Sequence, residues 1–407
     1  MLALLVAFSL QAAHPPPLVL SLTEVRARAV ETPALQAATA GVEQRRAAVE
    51  HIYGVGGVLA PSAELLPGLR AAPTGVENPA VQATMTVPFV LADLTGARKD
   101  VARAELARTE AEFLHHRFDV EQHAITLWFE RAQSEVRLRR TDEGLSTARA
   151  ERVALEAAVA AGAANAIDIV DFDAWLAEMQ AAHLDAEGAA FEAGLDLGRV
   201  VGVDVPVGTT GDPVVEASPA LDDAAVVAAR ASTASNAALS TVTQAAWLPT
   251  FGVGVAAQID DPRTGFAYVR LVATLPSLDG NPAERAALVD AHARARAAEE
   301  EALRDRATRR ARVLHETEHA AEKLALVRDV GQPAAERRLA LLEAQQHLGA
   351  GSIRDVLRAR RTVIDARIAT DVLALEAALA CALAHHAGVD AKACSAASIA
   401  PHAPESP

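Results

Sequence analysis

Aromatic residues are scarce: 9 Phe, 3 Trp and 2 Tyr make up 3% of the 407 residues. Several well-filled globular cores would need more, because aromatic side chains supply much of the buried area in such cores. Only two cysteines occur, Cys381 and Cys394, too few for a disulfide scaffold or a multi-cysteine metal site. Beyond the N-terminus no run reaches 18 apolar residues, so no transmembrane helix is expected. Cations are outnumbered, 38 Lys and Arg against 53 Asp and Glu, and the net charge of -15 disfavours nucleic acid as a partner, since its phosphates need clustered Lys and Arg. G-x-S-x-G, a Walker-type phosphate loop and a dinucleotide fingerprint are also missing. No cofactor is therefore expected.

Ala, Arg, Glu and Leu dominate long stretches, the composition of long helices. Met1 to Leu10 form a short apolar run that ends at Gln11-Ala12-Ala13-His14, before three prolines. Such a run is too short to span a bilayer and fits a signal peptide over residues 1–13. Cys381 and Cys394, thirteen positions apart, either close one small loop in an oxidising compartment or stay as two thiols. The Ala-, Ser- and Pro-rich tail, 391–407, is expected to be disordered.

The chain reads as one unit written twice. Gly162 to Asp168 and Gly349 to Asp355 share the order Gly, five residues, Asp, then a β-branched residue. An offset of 187 links these ends and also Arg98 with Arg285, Ala104 with Ala291 and Gly144 with Gly331; Pro88 and Pro276 differ by 188. Paired helices demand such constancy, because an insertion would rotate the packing face. Repeat 1 is expected over 14–205 and repeat 2 over 206–390. Each holds a helix, a β-hairpin (about 56–91 and about 250–276) and a long helical hairpin with its tip at about 162–168 or 349–355.

In copy one a helix is expected from Leu22 to His51, interrupted near Pro33, followed by strands over Val58 to Leu66 and Ala80 to Phe89. Val81, Ala83, Met85, Val87 and Phe89 alternate with Gln82, Thr84 and Thr86, the period of a half-buried strand. Copy two repeats this over Thr250 to Ile259 and Phe266 to Leu275. A lone two-stranded hairpin is marginal in water, so these four strands must find partners. Apolar residues on one face with small or polar ones on the other suit a membrane barrel.

From Asp93 to Gly162 no proline interrupts, so one helix of roughly 70 residues, on the order of 100 Å long, is expected. Ala104, Ala111, Phe118, Ile125 and Ala132 fall at seven-residue steps, a seam of small residues suited to closely packed antiparallel helices. Glu121 and Glu135 spoil that seam, and Gly331-Gln332-Pro333 should kink the second long helix. The fold class is thus mainly α with a small β part.

Long helical hairpins, each carrying a β-hairpin and repeated twice in an exported chain, resemble the TolC family of outer-membrane efflux proteins. Ala246-Trp247-Leu248-Pro249-Thr250-Phe251-Gly252 looks like the start of the family's third strand, and Leu275-Pro276 with Leu278-Asp279-Gly280 resembles its return from the barrel. Pro88, Trp247, Pro249 and Pro276 would mark where the chain joins and leaves the strands. Gly349 to Leu357, running into Arg358-Ala359-Arg360, is similar to the family's turn and return helix.

The resemblance implies a homotrimer in the cell outer membrane. Its four strands per chain would close a 12-stranded transmembrane β-barrel on outer-membrane lipid, and its helices a periplasmic α-barrel. The role implied is the exit duct of a tripartite efflux pump for small molecules. Its partners would be a periplasmic adaptor (membrane fusion) protein and an inner-membrane transporter of RND or ABC type. Heavy-metal-ion efflux, suggested by Val330 to Glu336, and type I protein secretion are the alternatives within the family.

In the family the two tips dock the adaptor and gate the tunnel, which implies that role for Gly162, Asp168, Gly349, Arg354, Asp355 and Arg358. Asp355 matches an aspartate of the tunnel mouth, but the acid expected one turn later is Arg358, and a clamp arginine is replaced by Gly351. Arg354 and Arg358 with Asp168 and Asp355 are expected to form a closing ion-pair network. On residue chemistry alone, each Asp is equally well placed as a group that stabilises a helix N-terminus.

Two other classes compete. His315-Glu316-Thr317-Glu318-His319 fits H-E-x-x-H, the pattern of a zinc peptidase with Glu316 as base. It lies midway along a charged helix, where a solvated face is the simpler reading, and no metal site is expected. A soluble coiled-coil scaffold explains the helices but not the four amphipathic strands.

Overall fold

The computed structural model describes residues 18–52, 61–71, 77–90, 94–162, 164–211, 224–245, 248–261, 264–274 and 282–389, with 392 and 394. The expected signal peptide and nearly all of the expected disordered tail lie outside these residues. In order, the elements are β1 (Leu18–Leu20), α1 (Leu22–Ala29), α2 (Pro33–Glu50), β2 (Ser62–Ala71), β3 (Glu77–Val90), α3 (Leu94–Ala160), α4 (Ala166–Val200), β4 (Val207–Thr209) and α5 (Ala224–Ala245). β5 (Thr250–Asp261), β6 (Thr264–Thr274), α6 (Pro282–Leu326), a π-helical turn (Val327–Gly331), α7 (Gln332–His347) and α8 (Ile353–His386) complete them. The chain divides into two compact units, one of Met1–Leu35, His116–Asp222 and Thr308–Pro407, the other of Gln36–His115 and Asp223–Ala307.

In the second unit the two hairpins join into one four-stranded sheet, ordered β2-β3-β5-β6 and antiparallel throughout. The register places Leu65 beside Ala83, Ala83 beside Ala257, Met85 beside Val255, and Val255 beside Val269. Strand side chains alternate between faces, so this face is apolar from edge to edge, with Val269 70% and Leu271 79% exposed. The opposite face carries Gln82, Thr84, Thr86, Gly254, Ala256 and Tyr268, and the Gln82 amide donates to the Tyr268 hydroxyl at 3.1 Å. β2 extends further toward the hairpin turn than the sequence suggested, to Ala71 rather than Leu66, because its pairing with β3 continues through Pro67. Small residues close the helical part of this unit, and Ser235 donates to Glu105 at 2.6 Å between α5 and α3.

In the first unit the apolar seam of α3 is buried at Phe118, Ile125, Trp128 and Ala132. A two-stranded parallel sheet, β1 on β4, lies over it and was not evident in the sequence. The Trp128 indole N–H donates to the Leu20 carbonyl at 3.1 Å, and the Ser21 side chain with Glu24 forms a capping box on α1. The two acids that break the seam fasten this layer. Glu121 accepts from Arg26 of α1 at 2.7 Å, and Glu135 accepts from the Thr209 backbone N–H of β4 at 3.2 Å and from its hydroxyl.

The kink expected at Gly331-Gln332-Pro333 is a π-turn in which the Gln332 N–H donates to the Val327 carbonyl. Proline has no N–H and its ring crowds the carbonyl four residues back, which disfavours a regular α-turn. Cys381 and Cys394 form a disulfide with Cα atoms 5.5 Å apart. By length and composition alone α8 is long and apolar enough to cross a bilayer, although Asp371 and Glu376 interrupt its apolar stretch. Its acids nevertheless tie it to the neighbouring helices, Asp371 to Arg140 at 2.7 Å and Glu376 to Lys323 at 3.4 Å.

Candidate functional site

Both helical reversals lie in the first unit. α3 ends at Ala160 and α7 at His347, and each is followed by a glycine in the left-handed region, Gly162 at φ +73° and Gly349 at φ +74°. Only glycine takes that conformation cheaply. At the second turn the Gly349 N–H donates to the Gln346 carbonyl at 2.9 Å and the Ala350 N–H to Gln345 at 3.0 Å, the paired bonds of a Schellman motif. A Cβ at Gly351 would stand 2.8 Å from the Gln346 backbone nitrogen, so this glycine permits a close backbone approach.

The acids part company. Asp168 accepts from the Asn165 backbone N–H at 3.0 Å at the start of α4, a local helix-capping bond. Asp355, in the first turn of α8, faces Arg358 at 4.0 Å. Arg354 does not reach Asp168. It grips Asp171 with two bonds, Nε to Oδ2 at 2.5 Å and Nη2 to Oδ1 at 2.7 Å, linking α8 to α4. Of the expected four-residue network, the Asp355–Arg358 contact is present within the chain, while Arg354 is held by Asp171 and Asp168 by the start of its own helix. The Arg354 hydrogen bond holds the Asp171 carboxyl below its ordinary pKa and raises that of the guanidinium.

Asp171 was missed in the sequence, although it lies one helical turn beyond Asp168, on the same side of α4. Below the clamp, Arg152 of α3 pairs with Asp173 of α4, and Arg360 of α8 pairs with Glu151 of α3 and with Glu343 of α7 at 2.9 Å. Phe172, Trp175, Met179, Leu145 and Leu357 form the apolar core at this level. Ile167, Val170 and Leu348 stay largely exposed at the reversals, Leu348 at 84%.

The other residues singled out are dispersed. Pro88 pairs with Gly252 across β3 and β5, and Pro249 immediately precedes β5; Trp247 and Pro276 lie outside the described residues. His315 and His319 are exposed on α6 with ring centroids 6.0 Å apart. Among the described residues no group of three or more His, Cys, Asp or Glu side chains could hold a metal ion.

These elements define a fold class: helical hairpins with an antiparallel sheet, the fold of bacterial outer-membrane channels, as the sequence resemblance implied. A membrane protein from Pseudomonas aeruginosa superposes with a TM-score of 0.73 at 16% identity, covering 89% of this chain and 91% of that one. The open-state MtrE outer-membrane channel of Neisseria gonorrhoeae gives 0.72 at 16% identity, with coverage of 90% and 89%. The outer-membrane protein VceC of Vibrio cholerae gives 0.67 at 18% identity, with coverage of 90% and 96%. No family profile and no curated protein sequence matches the chain.

Proposed function

We propose that this protein is a TolC-like outer-membrane channel, the exit duct through which a tripartite pump passes small molecules. The observation that carries this reading is the four-stranded sheet, whose one face is apolar across every strand while both outer edges, on β2 and β6, lack a ladder partner among the described residues. Exposed edges and an exposed apolar face are liabilities in water. Closure with two further copies into a 12-stranded barrel removes the edges, and outer-membrane lipid covers the face. The four strands of this sheet run from 10 to 14 residues, long enough to cross a bilayer when tilted. The disulfide accords with export, since such bonds persist in oxidising compartments.

On this reading the chain consists of two repeats, over 14–205 and 206–390, after a signal peptide, and it supplies a conduit rather than chemistry. Gly162 and Gly349 form the periplasmic tips, where exposed Leu348, Ile167 and Val170 offer an apolar surface to an adaptor. An inner-membrane transporter supplies the energy. Arg354, Asp355, Arg358 and Asp168 set the tip's charge and shape. The test is expression of the full chain followed by fractionation, crosslinking and planar-bilayer recording. Outer-membrane recovery, a crosslinked trimer and stepwise conductance are expected; a soluble monomer without conductance would overturn the proposal.

A further inference from the structure

A charge buried between helices costs free energy unless it is fully paired, which makes the surroundings of Glu121 informative. Glu121 is 3% exposed. Its Oε2 accepts from Arg26 Nη2 at 2.7 Å and its Oε1 from Arg117 Nε at 2.8 Å. The next neighbour is His386 at the end of α8, 1% exposed and stacked on Phe118 with ring centroids 4.5 Å apart. His386 Nε2 lies 3.3 Å from the Phe118 carbonyl oxygen, which can only accept. The neutral ring therefore carries its proton on Nε2 and presents a lone pair at Nδ1. That nitrogen has no hydrogen-bond partner and stands 4.0 Å from Glu121 Oε2.

We propose that Glu121 and His386 form a proton-operated latch, which holds α1 and the β1–β4 layer on the helical bundle near neutral pH and loosens them in acid. The contested atom is Glu121 Oε2. With His386 neutral it belongs to Arg26, the anchor of α1. A proton on Nδ1 creates a second cation aimed at the same oxygen, whereas Arg117 keeps Oε1. His386 is sealed in the core, while the Arg26 side chain retains a route to solvent at 19% exposure. Arg26 is therefore the partner released.

The charged groups facing His386 are Arg26 from α1 and Glu121 from α3, with Arg117 behind Glu121. The adjacent His385 on α8 is exposed. Burial lowers the His386 pKa; the bond to Phe118 and the charge of Glu121 oppose this, and Arg26 adds to it. A histidine whose folded pKa lies below its unfolded value of about 6.5 favours the fold when neutral. Stability is therefore lost as pH falls below about 6.5, down to the folded pKa.

Hydrogen exchange on the purified full chain tests this latch independently of the channel reading. Between about pH 7.5 and about pH 5.5, after correction for intrinsic exchange rates, protection of amides 18–29 and 207–210 should fall severalfold relative to mid-α4. His386→Gln can still donate to the Phe118 carbonyl but cannot gain a proton, and its protection should stay level across this range. Arg26→Met should show low protection at both pH values. A wild type without pH dependence, a His386→Gln variant that keeps it, or an Arg26→Met variant protected like wild type at neutral pH overturns the proposal. If His386→Gln does not fold, the wild-type and Arg26→Met measurements decide.

Discussion

At the first helical reversal Asn165 precedes α4, and Asp168 returns its carboxylate to the Asn165 N–H. At the second, Ser352 precedes α8 and accepts from the Arg354 N–H at 3.2 Å, leaving Asp355 loosely opposite Arg358. The two turns share a left-handed glycine, yet positions 187 apart carry different chemistry: Ala164 against Gly351, Ile167 against Arg354, Asp171 against Arg358. Among the described residues the strong link between α4 and α8 here joins unlike positions, Arg354 to Asp171. Equal backbone geometry thus leaves side-chain roles free to diverge, and at this end of the hairpins charge has been redistributed without altering the reversal.

The largest expected break in this comparison is Gly351→Ala. The new methyl meets Gln346 backbone rather than a side chain that can swing away, so a loss of about 2 kcal/mol is expected in urea unfolding. Ala164→Gly in the first turn should cost less than about 1 kcal/mol. Next comes the capping contrast: Asp168→Ala should cost about 1 kcal/mol and Asp355→Ala about 0.3 kcal/mol. Equal costs for the two would show that the turns use their acids alike.

A smaller effect tracks pH. The folded Asp171 pKa is depressed, so its contribution is present above the unfolded value of about 3.9 and is lost as pH falls through the folded one. A carboxyl NMR titration should place the Asp171 midpoint below that of an ordinary Asp, and Arg354→Ala should return it to the usual range. Smallest in stability is Arg358→Ala, whose side chain is 80% exposed and whose loss should leave unfolding unchanged. On the channel reading it should instead raise single-channel conductance, and an unchanged conductance would remove Arg358 from the gate.

Much of the fold was legible because it is periodic. Alternation at Val81 to Phe89 marks a strand, and the absence of proline from Asp93 to Gly162 marks the long helix. What stayed hidden depends on pairing between distant segments. β1 and β4 have three residues each, too short for any period, and they meet across nearly 190 positions. Glu121 read as a flaw in a heptad because its partners, Arg26 and His386, come from opposite ends of the chain. At the tips the glycines were legible because φ is a local property. The Arg354–Asp171 clamp was not, since sequence alone does not say that capping would occupy Asp168.

The π-turn over Val327–Gly331 bears on how segments could be exchanged between the two halves. Residue counts from Ala104 to Gly162 and from Ala291 to Gly349, which brackets the turn, are equal, yet a π-turn takes up about one residue more than an α-turn. One residue is about 100° of helical phase, so positions that correspond by number beyond the turn point to different sides of their helices. A graft of 332–347 onto the end of α3 would align in sequence and face the wrong neighbours; removing one residue at the junction would restore its aim. Correspondence by alignment and correspondence by direction thus come apart at a single widened turn.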